Sequence, residues 1–349
     1  MSIDMGIVAA GRYLPDTVMT ASEIAEASGL EEWVISDKLG ITQKHVMPDD
    51  MHPNDMAYLA AVDCLEKTDV DPSEIDVVLC TTEEWKEYML WTAGIDLAER
   101  IGAKNAWAMD MHMRCATTVS ALKTAKGMMA EDDDIETVLI AGGYNVSEFI
   151  DFTNHRTSFM FNIGAGAGAL LLRRDHLENR VLGTHLISDG SMSRHVIVPA
   201  SGTIEPPTDR AVAEGRFMFD LVEPDAMKSR LNEVSMDNWL RCVDEALRKS
   251  PRPGGGSYTR DDISYLDMLL VKPSAHRGML ELLGLDESQS TYLGHIGHIG
   301  EQDGIISLIE GVASGRLQDG DLVAMISAGI GYVWGAAIIE WGPSPEVAQ

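Results

Sequence analysis

The sequence predicts an α/β protein made of two similar halves, and three observations carry that expectation. Short β-rich runs alternate with amphipathic stretches along the chain, as when helices cross over between strands. Segments of the first half return in the same order in the second. Finally, 349 residues that are 45% hydrophobic suffice to bury a large core, as one big domain or two halves packed together.

In chain order, strands are expected at residues 6–10, 75–81, 106–111, 137–141 and 168–172, then at 182–188, 266–271, 322–327 and 336–341. Helices are expected at 20–28, 54–68, 92–101, 115–130, 225–249 and 304–314, where apolar residues return at helical spacing. "SPRPGGGS" (250–257) is a flexible surface loop rather than a linker, because the pattern resumes after it without a shift in composition. "IEPPTDRAVAEGRFMF" (204–219), with doubled prolines and few helical signals, reads as a long surface or site-covering excursion.

The internal repeat pairs "SEIDVVLCTTEEW" with "ISYLDMLLVKPSAH" and "DIETVLIAGG" with "DGDLVAMISAG". A glycine-rich apolar strand follows in each half, "GAGAGALLL" and "GIGYVWGAAII". This register divides the chain near Arg174, into 1–174 and 175–349. It also matches the helix that begins at Cys115 with the helix after "GHIGHIGEQDG", so that two related helices face one site.

Lys and Arg total 27 against 55 Asp and Glu, a formal charge of -28. That balance disfavours nucleic acid and anionic membranes as partners, since phosphate binding needs clustered cations. The apolar runs 322–327 and 333–339 are too short to span a bilayer, and the first residues do not read as a signal peptide. Four scattered cysteines make neither a disulfide framework nor a Cys-x-x-Cys zinc site. A reduced cytoplasmic protein is the expectation.

One cysteine stands apart. Arg114-Cys115-Ala116-Thr117-Thr118 falls where a strand becomes a helix, and a helix N-terminus favours an anion. Cys115 there is either a nucleophile or a small buried hydrophobe, the role that suits Cys64, Cys80 and Cys242.

The chain resembles the ketoacyl synthase III branch of the thiolase-like condensing enzymes. The likeness rests on "GLEEWVISDKLGITQKHV" (29–46), the Cys115 turn, "FNIGAGAGALLL" (161–172), "GTHLISDGS" (183–191) and "SAGIGYVWGAAII" (327–339). It implies a thiolase-like fold, two pseudo-symmetric α/β halves in a five-layer αβαβα sandwich, and an obligate homodimer. It implies a nucleophile, here Cys115, that takes an acyl group from coenzyme A or a carrier protein. The coenzyme A thioester is substrate, and no cofactor is held permanently.

Two family positions depart from the pattern. Where the family has Pro-His-Gln-Ala-Asn, this chain has Pro273 followed by Ser274, with His276 two residues later. Either Ser274 or His276 takes the histidine's place. Where the family has Gly-Asn-Thr-Ser, this chain has Gly297-His298-Ile299-Gly300. The family's His and Asn hold the malonyl thioester carbonyl while carbon dioxide leaves. His298 can donate one hydrogen bond as the amide does, but it can also act as a base.

The resemblance therefore implies a 3-oxoacyl synthase III-like Claisen condensation. It leaves open acyl transfer to a non-carbon acceptor, thioester hydrolysis, or an aldol addition like that of hydroxymethylglutaryl-CoA synthase. For the aldol route, Thr82-Glu83-Glu84 resembles that enzyme's Thr-Glu-Ser turn and makes Glu83 the candidate base. A non-catalytic complex subunit is the reading that an intact Cys115 disfavours.

The family also implies oxyanion donors in the backbone N–H groups of Cys115 and Ile330. Trp33 stands at the adenine-stacking tryptophan, and Arg156 and Lys38 are phosphate candidates. His295, His298, Glu301 and Asp303 offer metal-ligating atoms, but His-x-x-His spacing is common by chance and no metal is expected.

Overall fold

The computed structural model describes residues 3–343. The first half contains β1 (Met5–Tyr13), β2 (Val18–Thr20), α1 (Ala21–Ser28), β3 (Gln43–His45), α2 (Pro53–Leu65), β4 (Val77–Cys80) and α3 (Ala93–Ile101). It continues through β5 (Trp107–Asp110), α4 (Thr117–Glu131), β6 (Thr137–Asn145) and β7 (Ala165–Arg174). The second half contains β8 (Glu178–Ser188), β9 (Val196–Ile197), α5 (Asp209–Ala213), β10 (Asp220–Leu221) and α6 (Pro224–Arg248). It ends with β11 (Tyr265–Met268), α7 (Pro273–Leu283), α8 (Asp303–Ala313), β12 (Leu322–Gly329) and β13 (Val333–Pro343).

The major strands lie in the order β11-β12-β13-β8-β1-β7-β6-β4-β5. A single bridge, Gly6 to Arg180, joins β1 to β8 at the middle of that run. On one side, β4-β6-β7-β1 pair parallel, antiparallel, antiparallel. On the other side, β11-β12-β13-β8 pair in the same three senses. The recurring sequence segments thus occupy equivalent strands.

Side chains alternate across each strand and so build the layers. Val77, Leu79, Val138, Ile140, Leu170 and Leu172 face the centre of the molecule, as do Val323, Met325, Ala337 and Ile339. Between these two faces lie α4, through Val119, Leu122, Ala125 and Met129, and α8, through Ile305 and Leu308. The intervening residues face outward: Val78, Leu139 and Leu171 pack under α2 and α3. Ala324, Ile326, Ala336 and Ile338 pack under α6 and α7. The result is a five-layer αβαβα sandwich. Each large side chain buried this way contributes about 1.5–3 kcal/mol.

The structure departs from the sequence expectations at several places. The helix expected from Cys115 starts at Thr117, after a single 3-10 turn, Arg114–Ala116. Residues 273–283, where no helix is expected from the sequence, form α7, with Pro273 in its first turn and Gly284 ending it. The excursion 204–219 carries the short α5 and is anchored by Phe217 and Phe219, whose rings pack on Phe149. No helix among the described residues is long and apolar enough to cross a membrane. Cys64, Cys80 and Cys242 are buried, and burial pushes each thiol up to about 12.

Candidate active site

The middle layer sets the site, because α4 and α8 both begin at the same end of the sandwich. Between β5 and α4 the chain turns sharply at Arg114, whose φ of 52° is left-handed. That conformation costs a non-glycine residue roughly 1–3 kcal/mol and has to be held in place. Thr117 Oγ1 accepts from the Met113 N–H (2.8 Å) and donates to the Arg114 carbonyl (2.6 Å). Ser327 Oγ, from β12, donates to the Cys115 carbonyl. The Arg114 guanidinium bonds Glu83 at 2.7 Å and also pairs with Glu84. The outcome is a partly exposed thiol at the head of α4.

The partner of that thiol comes from the equivalent turn of the second half. His298 Nε2 lies 3.2 Å from Cys115 Sγ, and His298 Nδ1 lies 2.6 Å from Asp303 Oδ2. With the Nδ1 proton donated to Asp303, Nε2 is the atom that faces sulfur. Asp303 is itself fixed by the N–H groups of Ile299 and Leu270, each at 2.7 Å. The His298 backbone is clamped on both sides, its N–H donating to Asn162 (2.8 Å) and its carbonyl accepting from Gly164 (2.9 Å). The flanking glycines are steric requirements. A Cβ at Gly300, where φ is 57°, would sit 2.3 Å from the Tyr144 ring, and one at Gly297 would sit 2.6 Å from Lys44 Cβ.

The charge state follows from the neighbours. Burial acts to pull the His298 imidazole down, but Asp303 and then Cys115 outweigh it and hold the ring well above the usual histidine range. The arrangement is an imidazolium beside a sulfur nucleophile, steered by a carboxylate: a Cys-His-Asp triad. Glu83 is buried at the end of β4, and burial pushes its carboxyl up to about 8 despite Arg114.

The other expected residues fall in several places. Ile330 lines an open cavity of about 280 Å³ beside the elbow, together with His112, Met113, Arg114 and Tyr332. A larger cavity, about 360 Å³, lies at Lys67, Glu74 and Arg173, and no cysteine lines it. The structure does not bring His276 to the thiol. It is buried on α7, its Nε2 bonds Ser290 Oγ (3.0 Å), and burial pulls its ring down to about 4. Ser274 is exposed on the first turn of the same helix. The physical reason is that Pro273 opens a helix here rather than a loop that could carry a histidine inward.

Trp33 is half exposed, with Lys38 Nζ 4.5 Å from its ring centre. Arg156 is engaged by Asp220 at 3.0 Å and by the Leu221 carbonyl. The four residues considered for a metal do not converge, since His295 turns to Glu310 at 3.7 Å. Among the described residues, Glu83, Glu84 and His112 do cluster, but the Arg114 guanidinium already bonds both carboxylates.

Sequence reasoning missed Asp303 as the residue that orients His298. The signal was present in "HIGEQD": a histidine and an aspartate five apart at the head of a helix.

Two family models match the chain: 3-oxoacyl-[acyl-carrier-protein (ACP)] synthase III over residues 109–190, and its C-terminal counterpart over 256–341. A β-ketoacyl-[acyl-carrier-protein] synthase III of Desulfitobacterium hafniense (strain Y51) is 26% identical, over 97% of this chain and 98% of its own. One from Xanthomonas euvesicatoria pv. vesicatoria (strain 85-10) is 29% identical, over 96% and 98%. The crystal structure of 3-oxoacyl-(acyl carrier protein) synthase III from Pseudomonas aeruginosa PAO1 matches with a TM-score of 0.80 at 21% identity. That match covers 97% of this chain and 98% of the other. The fold, the cysteine at its turn and these matches lead to one conclusion: the chain has the thiolase-like fold and resembles, along nearly its whole length, the 3-oxoacyl-[acyl-carrier-protein] synthase III condensing enzymes.

Proposed function

We propose that this chain takes an acyl group from a coenzyme A or acyl-carrier-protein thioester onto Cys115 and joins it to a carbon nucleophile in a Claisen condensation. The observation that carries this reading is the hydrogen-bonded series from Cys115 Sγ through His298 to Asp303. In loading, sulfur attacks the acyl carbon, the donor's C–S bond breaks, and the departing thiolate leaves with the His298 proton. The N–H groups of Cys115 and Ile330 hold the carbonyl oxygen as it becomes negative.

Loading leaves His298 neutral, with Nε2 free to accept a proton from the incoming partner. An amide cannot do this, so the triad favours an acceptor that loses a proton over a malonyl thioester that loses carbon dioxide. Trp33 and Lys38 are the coenzyme contacts in this reading, and Glu83 steadies the elbow through Arg114. The units are 1–174 and 175–349, the assembly is a homodimer, and no cofactor is held permanently.

The same base supports a second reading, transfer of the acyl group to a hydroxyl, an amine or water. The two readings separate by product. The loaded protein is offered malonyl-CoA, a second acyl-CoA, or a panel of alcohols and amines, and the mixtures are resolved by mass spectrometry. A 3-oxoacyl thioester formed from acyl-CoA alone supports the proposal. Ester, amide or free acid as the sole product overturns it in favour of the second reading.

A further inference from the structure

Glu301 is a second buried carboxyl at this site and takes no part in the series from Cys115 to Asp303. It stands in the 3-10 turn Gly300–Gln302, three residues after His298, and is 1% exposed. Its carbonyl accepts from Thr118 Oγ1 (2.6 Å), one turn of α4 beyond Cys115. The neighbouring Gln302 amide donates both to Glu301 Oε1 (2.9 Å) and to Thr81 Oγ1 (3.0 Å). Thr81 and Glu83 follow β4, and Tyr144 lies near the end of β6. These contacts tie Glu301 to the floor of the site, among buried Glu83, Tyr144 and the thiol.

Among the described residues Glu301 forms no salt bridge, whereas Glu83 and Glu84 share Arg114. A carboxyl this deeply buried with no cation beside it keeps its proton. Burial first, then the nearness of Glu83 and Cys115, hold Glu301 well above the usual carboxylate range. The hydrogen bonds decide which oxygen carries the proton. Oε1 accepts from Gln302, so the O–H lies on Oε2, and Oε2 has no partner among the protein's described groups. An unsatisfied buried donor is costly and calls for a use.

Resting on the condensation reading above, we propose that Glu301 donates an O–H···O hydrogen bond from Oε2 to the carbonyl oxygen of the acceptor thioester. The acceptor is then an acyl thioester enolised by proton removal. The α-carbon gives its proton to His298 Nε2, and the C–H electron pair becomes the enolate C=C bond. The carbonyl π pair moves onto the oxygen that Glu301 holds. The α-carbon then attacks the acyl carbon on Cys115, a C–C bond forms, and the C–S bond to Cys115 breaks. The products are a 3-oxoacyl thioester, the Cys115 sulfur released as a thiolate and His298 carrying the α-proton, so atoms and charge balance.

The test uses the full-length protein with acetyl-, butyryl- and palmitoyl-CoA in heavy water. Deuterium at the α-carbon is read alongside the acyl adduct on Cys115. Wild type is expected to load and to exchange. Glu301→Ala is expected to load within about threefold of wild type but to exchange about 100-fold more slowly, the scale of one oxyanion donor. Glu301→Gln, which keeps a neutral N–H donor there, is expected to exchange within about tenfold of wild type.

The inference is overturned if Glu301→Ala exchanges as fast as wild type, or if both variants lose loading and exchange together, as a structural role requires. A wild type that loads but never exchanges overturns it while leaving the acyl-enzyme intact. A wild type that never loads overturns the condensation reading as well.

Discussion

Replacing Asp303 with asparagine tests the triad with the smallest change in shape. Asp303 accepts three hydrogen bonds, from His298 Nδ1 (2.6 Å), Ile299 N–H and Leu270 N–H (2.7 Å each). An asparagine keeps one oxygen, which satisfies Ile299. Its NH₂ then faces two donors, Leu270 N–H and His298 Nδ1–H. Leaving the buried Leu270 N–H unpaired costs about 1–3 kcal/mol, and the lost charge-assisted bond to His298 adds a similar amount.

Asp303→Asn is thus expected to be about 2–6 kcal/mol less stable, a loss to be set against typical domain stabilities of about 5–15 kcal/mol. The imidazole accepts from the new NH₂ only as the other tautomer. Its proton then sits on Nε2, against the sulfur, and the base is lost. Loading of Cys115 in a single turnover, followed by intact mass against time, is expected to slow about 10³–10⁴-fold, the scale of the same change in a Ser-His-Asp triad. If the folded variant loads within about threefold of wild type, Asp303 does not steer His298 and the triad argument fails.

Other predictions concern the surroundings. Gly300→Ala places a methyl 2.3 Å from the Tyr144 ring at a φ of 57°. It is expected to lower stability by about 1–3 kcal/mol and to slow loading, read by thermal melts and the same mass assay. His276→Ala removes the partner of Ser290 Oγ but nothing at the thiol. A melt lowered by about 1–3 kcal/mol with loading unchanged is expected, and a lost acyl adduct would put His276 back in the chemistry.

Lys44 is buried against the Ile163 carbonyl (2.8 Å), and burial lowers its ammonium from 10.5 to about 7. The unfolded chain binds the extra proton between those values, so this group makes stability rise with pH from about 7 to 10.5. Lys44→Met is expected to raise the melting temperature at neutral pH and to flatten that slope. An unchanged slope in denaturant titrations contradicts the assignment.

Most of the fold was legible because both sheets are buried on both faces, so their strands read as short apolar runs, and α4 and α8 follow such runs. Strand ends were less so. β6 continues through Gly142 and Gly143 to Asn145, where small residues carry little signal but fit against Thr81 and Pro53. α7 was missed because Lys-Pro-Ser-Ala-His after a strand looks like a turn, and only its packing on β11 and β12 shows a helix. The nucleophile was visible from the junction it occupies. Its base was visible as a departure from the family's asparagine. Asp303 was read only as a metal donor, since the 3-10 turn that folds it back onto His298 depends on Leu270, a residue distant in sequence.

The central claim is that an acyl group comes to rest on the sulfur of Cys115. The direct measurement is intact and peptide mass of the purified protein after exposure to acyl-CoA, beside Cys115→Ala. One acyl mass on the peptide that contains Cys115, absent from the alanine variant, is the predicted result. No adduct with any acyl-CoA or acyl-carrier protein, or an adduct that persists in Cys115→Ala, contradicts it.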